Sequence, residues 1–179
     1  GMIMAHGDDG GLRLPPRLAP IQVIILPIKA EASLIEAAEK ISDTLKKQGV
    51  RVQIDSSENE TIGFRINSWE LKGVPVRLEV GTRELAEEKV TAVRRDTGEK
   101  IAVPLAELST AIPALLELIQ NNLLKEAEQF LADNTHTADN YETFKEIMRG
   151  PRGFISALWC EYTSCEARIK EETKATTRC

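Results

Sequence analysis

The 179-residue sequence is poor in aromatic side chains. They make up 4% of it, so any core must be filled by aliphatic residues. It holds two histidines and three cysteines. The cysteines are Cys160, Cys165 and Cys179, an odd set near the C-terminus that argues against a disulfide framework. No apolar run approaches the roughly 18 residues of a bilayer span, which excludes a membrane-spanning helix. The start at Gly1–Met2 lacks the basic, apolar and small-residue regions of a secretory leader. Gly1 reads as a residue added in cloning, and the chain reads as cytoplasmic. No glycine-rich phosphate loop follows the first apolar run, because Ile28 is followed by Lys29, Ala30 and Glu31. That argues against a nucleotide site of the usual kind. No spacing supports a Ser/His/Asp or Cys/His arrangement. Positive charge is also short. The net charge is −5, which argues against a broad field for phosphate backbones.

What is present alternates. Residues 1–20 are rich in Gly and Pro and read as a turn and an extended linker. Asp8–Asp9 there reads as a solvated pair in a Gly turn, and His6 as a turn histidine. Ile21–Ile28 is a near-continuous apolar run, the mark of a buried parallel strand. Ala32–Gln48 repeats apolar residues at Leu34, Ile35, Ala38, Ile41 and Leu45, a helical spacing stopped by Gly49. Arg51–Asp55 is a short strand, and Thr61–Leu71 a helix ended by Gly73. In Val74–Val80 the alternation points Val76, Leu78 and Val80 inward and Arg77 and Glu79 outward. Lys89–Arg95 and Glu99–Val103 flank Asp96-Thr97-Gly98 as a hairpin. Leu105 to about Asp133 is a long helical stretch with a kink expected at Pro113. Residues 134–140 form a polar break, Tyr141–Met148 a helix, Phe154–Trp159 a strand or packed extended segment, and Ser164–Glu172 a helix. The fold class is therefore α/β: a three-layer domain on a mostly parallel, five-stranded mixed sheet with an antiparallel edge, followed by a helical, partial C-terminal domain.

Two constellations could carry chemistry. Cys160-x4-Cys165 can bring two sulfurs to one point, but zinc takes four ligands, so the pair is either two reduced thiols or half of a site. Gly63–Glu84 places Glu70 at a helix end, Arg77 on the next strand, and Arg83 and Glu84 just past that strand's C-terminal end. Ligands of open α/β sheets bind outside those ends. Residues 61–103 carry eight Lys/Arg against seven acids, a balance of +1 in an otherwise acidic chain. An Arg fork suits guanine's O6 and N7, and a carboxylate can accept from guanine's N1–H and N2–H₂. Mixed Arg/Glu chemistry thus fits reading of exposed guanines; the competing reading is a set of surface salt bridges.

These residues sit in segments with a strong likeness. MIMAHGDDGGLRLPPRLAPIQVIILPI, GFRINSWELKGVPVRLEVGTREL, VTAVRRDTGEK and LWCEYTSCEARIKEETKATTRC resemble prolyl-tRNA synthetases of the archaeal/eukaryotic-like type, over essentially the whole chain. The resemblance implies the end of a catalytic domain and a linker at 1–19. It implies an anticodon-binding domain at 20–106, a connecting helix at 107–140 and part of a zinc-binding domain at 141–179. It favours base reading over salt bridging for 63–84, and implies anticodon guanine contacts at Glu70, Arg77, Arg83, Glu84 and Lys100, meeting at one rim of the sheet. Phe64 would stack on a base or join the core. Cys160 and Cys165 would be the first zinc pair and Cys179 a spacer cysteine. The implied partners are tRNA(Pro) and a second synthetase copy, with no DNA and no membrane. Zinc, ATP and magnesium belong to the full-length enzyme, an ATP-dependent ligase. The class II signature motifs have no counterpart here, so no catalytic residue and no activity are expected of this chain alone. The alternative is a scaffold for dimerisation or assembly without RNA binding.

Overall fold

A computed structural model describes residues 1–178. These divide into two compact units, Gly1–Leu124 and the residues from Lys125 onward. In the first unit a short helix α1 (Met2–His6) leads into a small antiparallel hairpin, β1 (Gly7–Asp8) and β2 (Gly11–Leu12). The main sheet follows: β3 (Val23–Pro27), helix α2 (Ala32–Lys47), β4 (Val52–Ile54), α3 (Ile62–Leu71), β5 (Val76–Val80), α4 (Thr82–Ala86), β6 (Lys89–Arg94) and β7 (Lys100–Pro104). A 3₁₀ turn at Leu105–Glu107 opens the long helix α5 (Leu108–Asp133), which continues through Pro113.

The strand order is β4-β3-β5-β6-β7. β3 is parallel to both β4 and β5, and β6 is antiparallel to β5 and β7. Four strands thus share one direction and β6 opposes them. The chain steps from β3 to one side for β4, then back across for β5. Right-handed crossovers with such a reversal place the two connecting helices on opposite faces. One face carries Val23, Ile25, Val76, Leu78, Val80, Val90, Ala92 and Val103 against Leu34, Ala38, Ile41 and Leu45 of α2 and Leu108, Ile112, Leu116 and Ile119 of α5. The other carries Ile24 and Leu26 against Trp69 of α3 and Val74. β3 is apolar at every position because both its faces are covered; β7, at the edge, is largely open.

α5 packs on the sheet as far as Leu123. Beyond it Leu124, Phe130 and Leu131 are exposed. The second unit pairs β8 (Thr135–Ala138) in parallel with β9 (Phe154–Ala157), joined through α6 (Tyr141–Arg149) and followed by α7 (Thr163–Thr173). Asn140 caps α6 by accepting from the Thr143 N–H at 2.9 Å.

Three elements depart from the sequence expectation. Residues 1–20 are not an open linker: Pro15, Pro16 and Ala19 are buried. Arg51 holds that segment, donating from Nε to the Ala19 carbonyl and from Nη2 to those of Pro16 and Arg17. The polar stretch 134–140 contains β8, whose sequence Thr-His-Thr-Ala has no apolar alternation to betray it. α4 has five residues, too few for a periodicity.

Leu78 is fully buried between α2, α5 and its neighbouring strands. Leu78→Ala should therefore destabilise the first unit by about 2–5 kcal/mol, the usual cost of a large-to-small core change. Chemical denaturation followed by circular dichroism checks this.

Candidate nucleic-acid interface

The candidate site is built around α3. The helix starts at Thr61, whose hydroxyl accepts from the Phe64 N–H at 3.3 Å. Arg65 then points down to the sheet, donating 2.7 Å bonds to the backbone carbonyls of Pro27 and Asp55, at the ends of β3 and β4. Trp69 donates from Nε1 to the Asp55 carboxylate at 2.6 Å, and Lys72 covers the Trp69 ring at 4.0 Å. These ties fix the rotation of α3, so Glu70, next in sequence, comes to the border of the uncovered sheet.

Arg77 meets Glu70 there. In the sheet register Arg77 lies beside Ile24 of β3 and Val93 of β6, and Val93 lies beside Lys100 of β7. Residues in such a row project from one face, so Arg77 and Lys100 share the α3 side of the sheet. The Arg77 guanidinium is largely buried. Nη1 donates to Glu70 at 2.7 Å and Nε to Glu79 at 3.0 Å. A buried cation needs such partners, and the short charge-assisted bonds offset its desolvation. The result is two carboxylates held side by side on one fork. The Glu70 side chain is 41% exposed, so it can still meet a ligand. Lys100 is exposed and forms no ion pair with another described residue.

Arg83 and Glu84 lie elsewhere. They belong to α4, past the carboxyl end of β5. Val80 lies three residue steps along β5 from Arg77, about 10 Å at roughly 3.3 Å per residue. The expectation of a single rim is therefore corrected. The structure joins Glu70 to Arg77 toward the amino-terminal end of β5, sets Lys100 two strands along the same row, and places Arg83 with Glu84 past the opposite end of β5. The rise of β5 from Arg77 to Val80 sets the separation. The Glu84 carboxylate folds back over Gly81, where a Cβ would collide with it. Phe64 is exposed, which removes its core alternative.

Three further residues belong to the first cluster. Glu79 was legible, because it alternates with Arg77. Asp8 and Arg95 were not. Arg95 donates from Nη1 and Nη2 to the two Asp8 carboxylate oxygens at 2.9 and 2.6 Å, and from Nε to the Glu70 backbone carbonyl at 3.1 Å. Asp8 is thus not a freely solvated carboxylate. Its hydrogen bond from Arg95 holds its carboxyl below the ordinary range, against a smaller opposing effect of burial. On the opposite face Arg94 donates to both oxygens of the buried Asp96, which also accepts from Asn122 of α5. That pairing raises the Arg94 pKa further.

In the second unit, Cys160 precedes α7 and Cys165 sits in its first turn. Their side chains hydrogen-bond, which lowers the Cys160 pKa and raises that of Cys165. Two adjacent sulfurs fit half of a tetrahedral zinc site. Among the described residues no group of three or more His, Cys, Asp or Glu could hold a metal ion, and Cys179 lies outside them. A cavity of ≈ 790 Å³ in this unit is lined by Tyr141, Phe144, Phe154, Trp159 and Ile169 among others.

Residues 22–115, which contain all five candidate base-contacting positions, match the family profile of the anticodon-binding domain. The chain belongs to that family. Residues 141–179 match a second profile, the C-terminal domain of prolyl-tRNA synthetase. The chain is 44% identical over 180 residues to proline–tRNA ligase 2 of Clostridioides difficile, covering 100% of this chain and 37% of that protein. It is 45% identical over 179 residues to proline–tRNA ligase of Clostridium novyi, covering 99% and 37%. The crystal structure of prolyl-tRNA synthetase from Cryptosporidium parvum complexed with L-proline and AMP superposes with a TM-score of 0.90 at 41% identity, covering 96% of this chain and 38% of that one. The chain thus spans a little over a third of the length of these relatives. It corresponds to their anticodon-binding and C-terminal part.

The Asp8–Arg95 pair makes an acid-side prediction. A lowered folded-state pKa means the contact is at full strength above the unfolded value of about 4 and is lost as pH falls through the folded one. Carbon-13 NMR titration should place the Asp8 midpoint below that of an unstructured aspartate. Arg95→Gln should raise it back toward that value.

Proposed function

We propose that this chain reads the two guanines of proline anticodons, through Glu70, Arg77, Arg83, Glu84 and Lys100. The observation that carries the reading is the Glu70–Arg77–Glu79 clamp at the border between α3 and the part of the sheet it leaves open, with the exposed Lys100 in the same row. A carboxylate held rigid by a buried arginine is a preorganised acceptor for guanine's N1–H and N2–H₂. Arg77, already spent on two carboxylates, then acts chiefly by aiming Glu70. Lys100 supplies charge for phosphate or O6. Arg83 and Glu84 form a second station past the far end of β5, a separation suited to splayed single-stranded bases rather than a stacked pair.

In this reading residues 20–106 are the anticodon-binding domain, 1–19 the end of the preceding domain with its linker, 107–140 a connecting segment that is helical to Asp133 and then forms β8, and 141–179 part of a zinc-binding domain. The longer protein is an ATP-dependent ligase that joins proline to tRNA(Pro), cytoplasmic and homodimeric. ATP and magnesium serve the catalytic part, which these residues do not supply. Zinc would be held by Cys160 and Cys165 together with donors from outside the described residues.

Fluorescence anisotropy with a proline anticodon stem-loop tests the proposal. Wild type should prefer the guanine-bearing loop over one with both guanines replaced by adenines. Glu70→Gln and Arg83→Ala should each weaken the preferred complex by about 1–3 kcal/mol, the usual worth of one base contact. Equal affinity of wild type for the two loops would sink the reading. The assembly alternative draws on one observation, the exposed Phe154, Leu158 and Tyr162 of the second unit. It predicts a concentration-dependent mass in sedimentation and no RNA affinity.

A further inference from the structure

We propose that Asp8 and Arg95 are positioning residues for the base-facing Glu70, so that the N-terminal hairpin sets how well the sheet face discriminates guanine; the inference rests on the base-reading function proposed above. α3 ends at Leu71, so the Glu70 carbonyl is among the last four of the helix, which have no partner within it. It accepts from the Gly73 N–H at 2.9 Å and from Arg95 Nε at 3.1 Å. A guanidinium at a helix C-terminus also meets the negative end of its dipole. The other side of the same fork is filled by Asp8 in a bidentate pair. Arg95 therefore stands between two elements distant in sequence, and its side chain is only 12% exposed.

The hairpin that carries Asp8 is itself held against the end of α3. Its Leu14 N–H donates to the Gly73 carbonyl at 3.2 Å, and the Arg13 N–H to that of His6 at 2.7 Å. Gly11, at φ +122°, lies so close to the Leu71 backbone that a Cβ would collide with it, and Gly73, at φ +75°, stands equally close to Leu12. The Gly10 N–H and Arg13 complete the surroundings of the Asp8 carboxylate, at 2.9 and 3.6 Å. A recess of ≈ 10 Å³, room for about one water, is bordered by Trp69, Glu70, Arg77, Arg94 and Arg95. Glu70 is thus gripped from two sides. Arg77 takes its side chain and Arg95 its backbone. Removing the Asp8 charge leaves Arg95 without a counter-ion, frees it to turn toward solvent, and lets the last turn of α3 fray. Glu70 then loses register with Arg77.

The test uses the full chain carrying Asp8→Asn, with Arg95→Lys as a second variant that keeps the charge and loses the fork. Asp8 lies on an exposed hairpin, so its substitution spares the core. Anisotropy against the guanine and adenine stem-loops should show guanine preference falling about tenfold in each variant, within the range of one lost base contact. Asp8→Asn should add nothing further to Glu70→Gln, since both act on one contact. Without RNA, amide exchange at residues 70–73 should quicken about tenfold in Asp8→Asn while β3 and β5 stay protected, as expected of local fraying. Guanine preference equal to wild type, or weakening shared equally by both loops, overturns the inference and leaves the base-reading function standing. If wild type itself shows no preference, that function fails, the claim on guanine discrimination fails with it, and the exchange experiment decides only whether the hairpin holds the Glu70 backbone. Quickened exchange upholds the positioning role, and unchanged exchange overturns it.

Discussion

Arg77 sits in a sheet row between Ile24 and Val93, on a face otherwise packed against α3. An unpaired guanidinium there would cost several kcal/mol. Glu70 and Glu79 answer it, one from the helix and one from two residues along the same strand. That requirement fixes much else. Glu70 must be at the helix end, so α3 must be locked in rotation, which Arg65 and Trp69 do through the ends of β3 and β4. The helix must stop where it does, which Gly73 and the N-terminal hairpin enforce. A buried cation thereby organises an exposed carboxylate.

The division of labour between the two sheet faces follows from covering. α2 and α5 seal one face with aliphatic side chains, and that face supplies most of the stability of a chain with few aromatics. α3 seals only part of the other. The hairpin β6–β7 extends the sheet beyond α3 and leaves Glu79, Thr91, Lys100 and Ala102 accessible. An antiparallel edge can face solvent on one side without loss, whereas the parallel strands β3 and β5 cannot. The accessible part of this face thus lies where the parallel part of the sheet gives way to the antiparallel part.

Net charge alone would have turned attention away from RNA. The chain is acidic, and the arginines around the candidate site are paired: Arg94 with Asp96, Arg95 with Asp8, Arg77 with two glutamates. Pairing of this kind suits recognition of individual base edges, which needs aimed donors and acceptors, better than capture of a phosphate backbone.

The sequence by itself determined the elements and their faces. The continuous apolar run of β3, the helical spacing of α2 and the alternation of Val76, Leu78 and Val80 against Arg77 and Glu79 are local patterns, and local patterns survive folding when burial enforces them. Its chemistry also marked Glu70, Arg77, Arg83 and Glu84 as suited to guanine, and the family resemblance added Lys100. The tertiary structure alone decided how these divide. Arg77 is spent on two carboxylates, Arg83 and Glu84 stand at the other end of β5, and Asp8 reaches Arg95 across 87 positions of chain. β8 was hidden for the same reason, since its strand character comes from pairing with β9 rather than from its own residues. Periodicity reports which way a side chain points; only the packed chain brings distant charges within hydrogen-bond reach, because partner choice is a long-range property that no local pattern encodes.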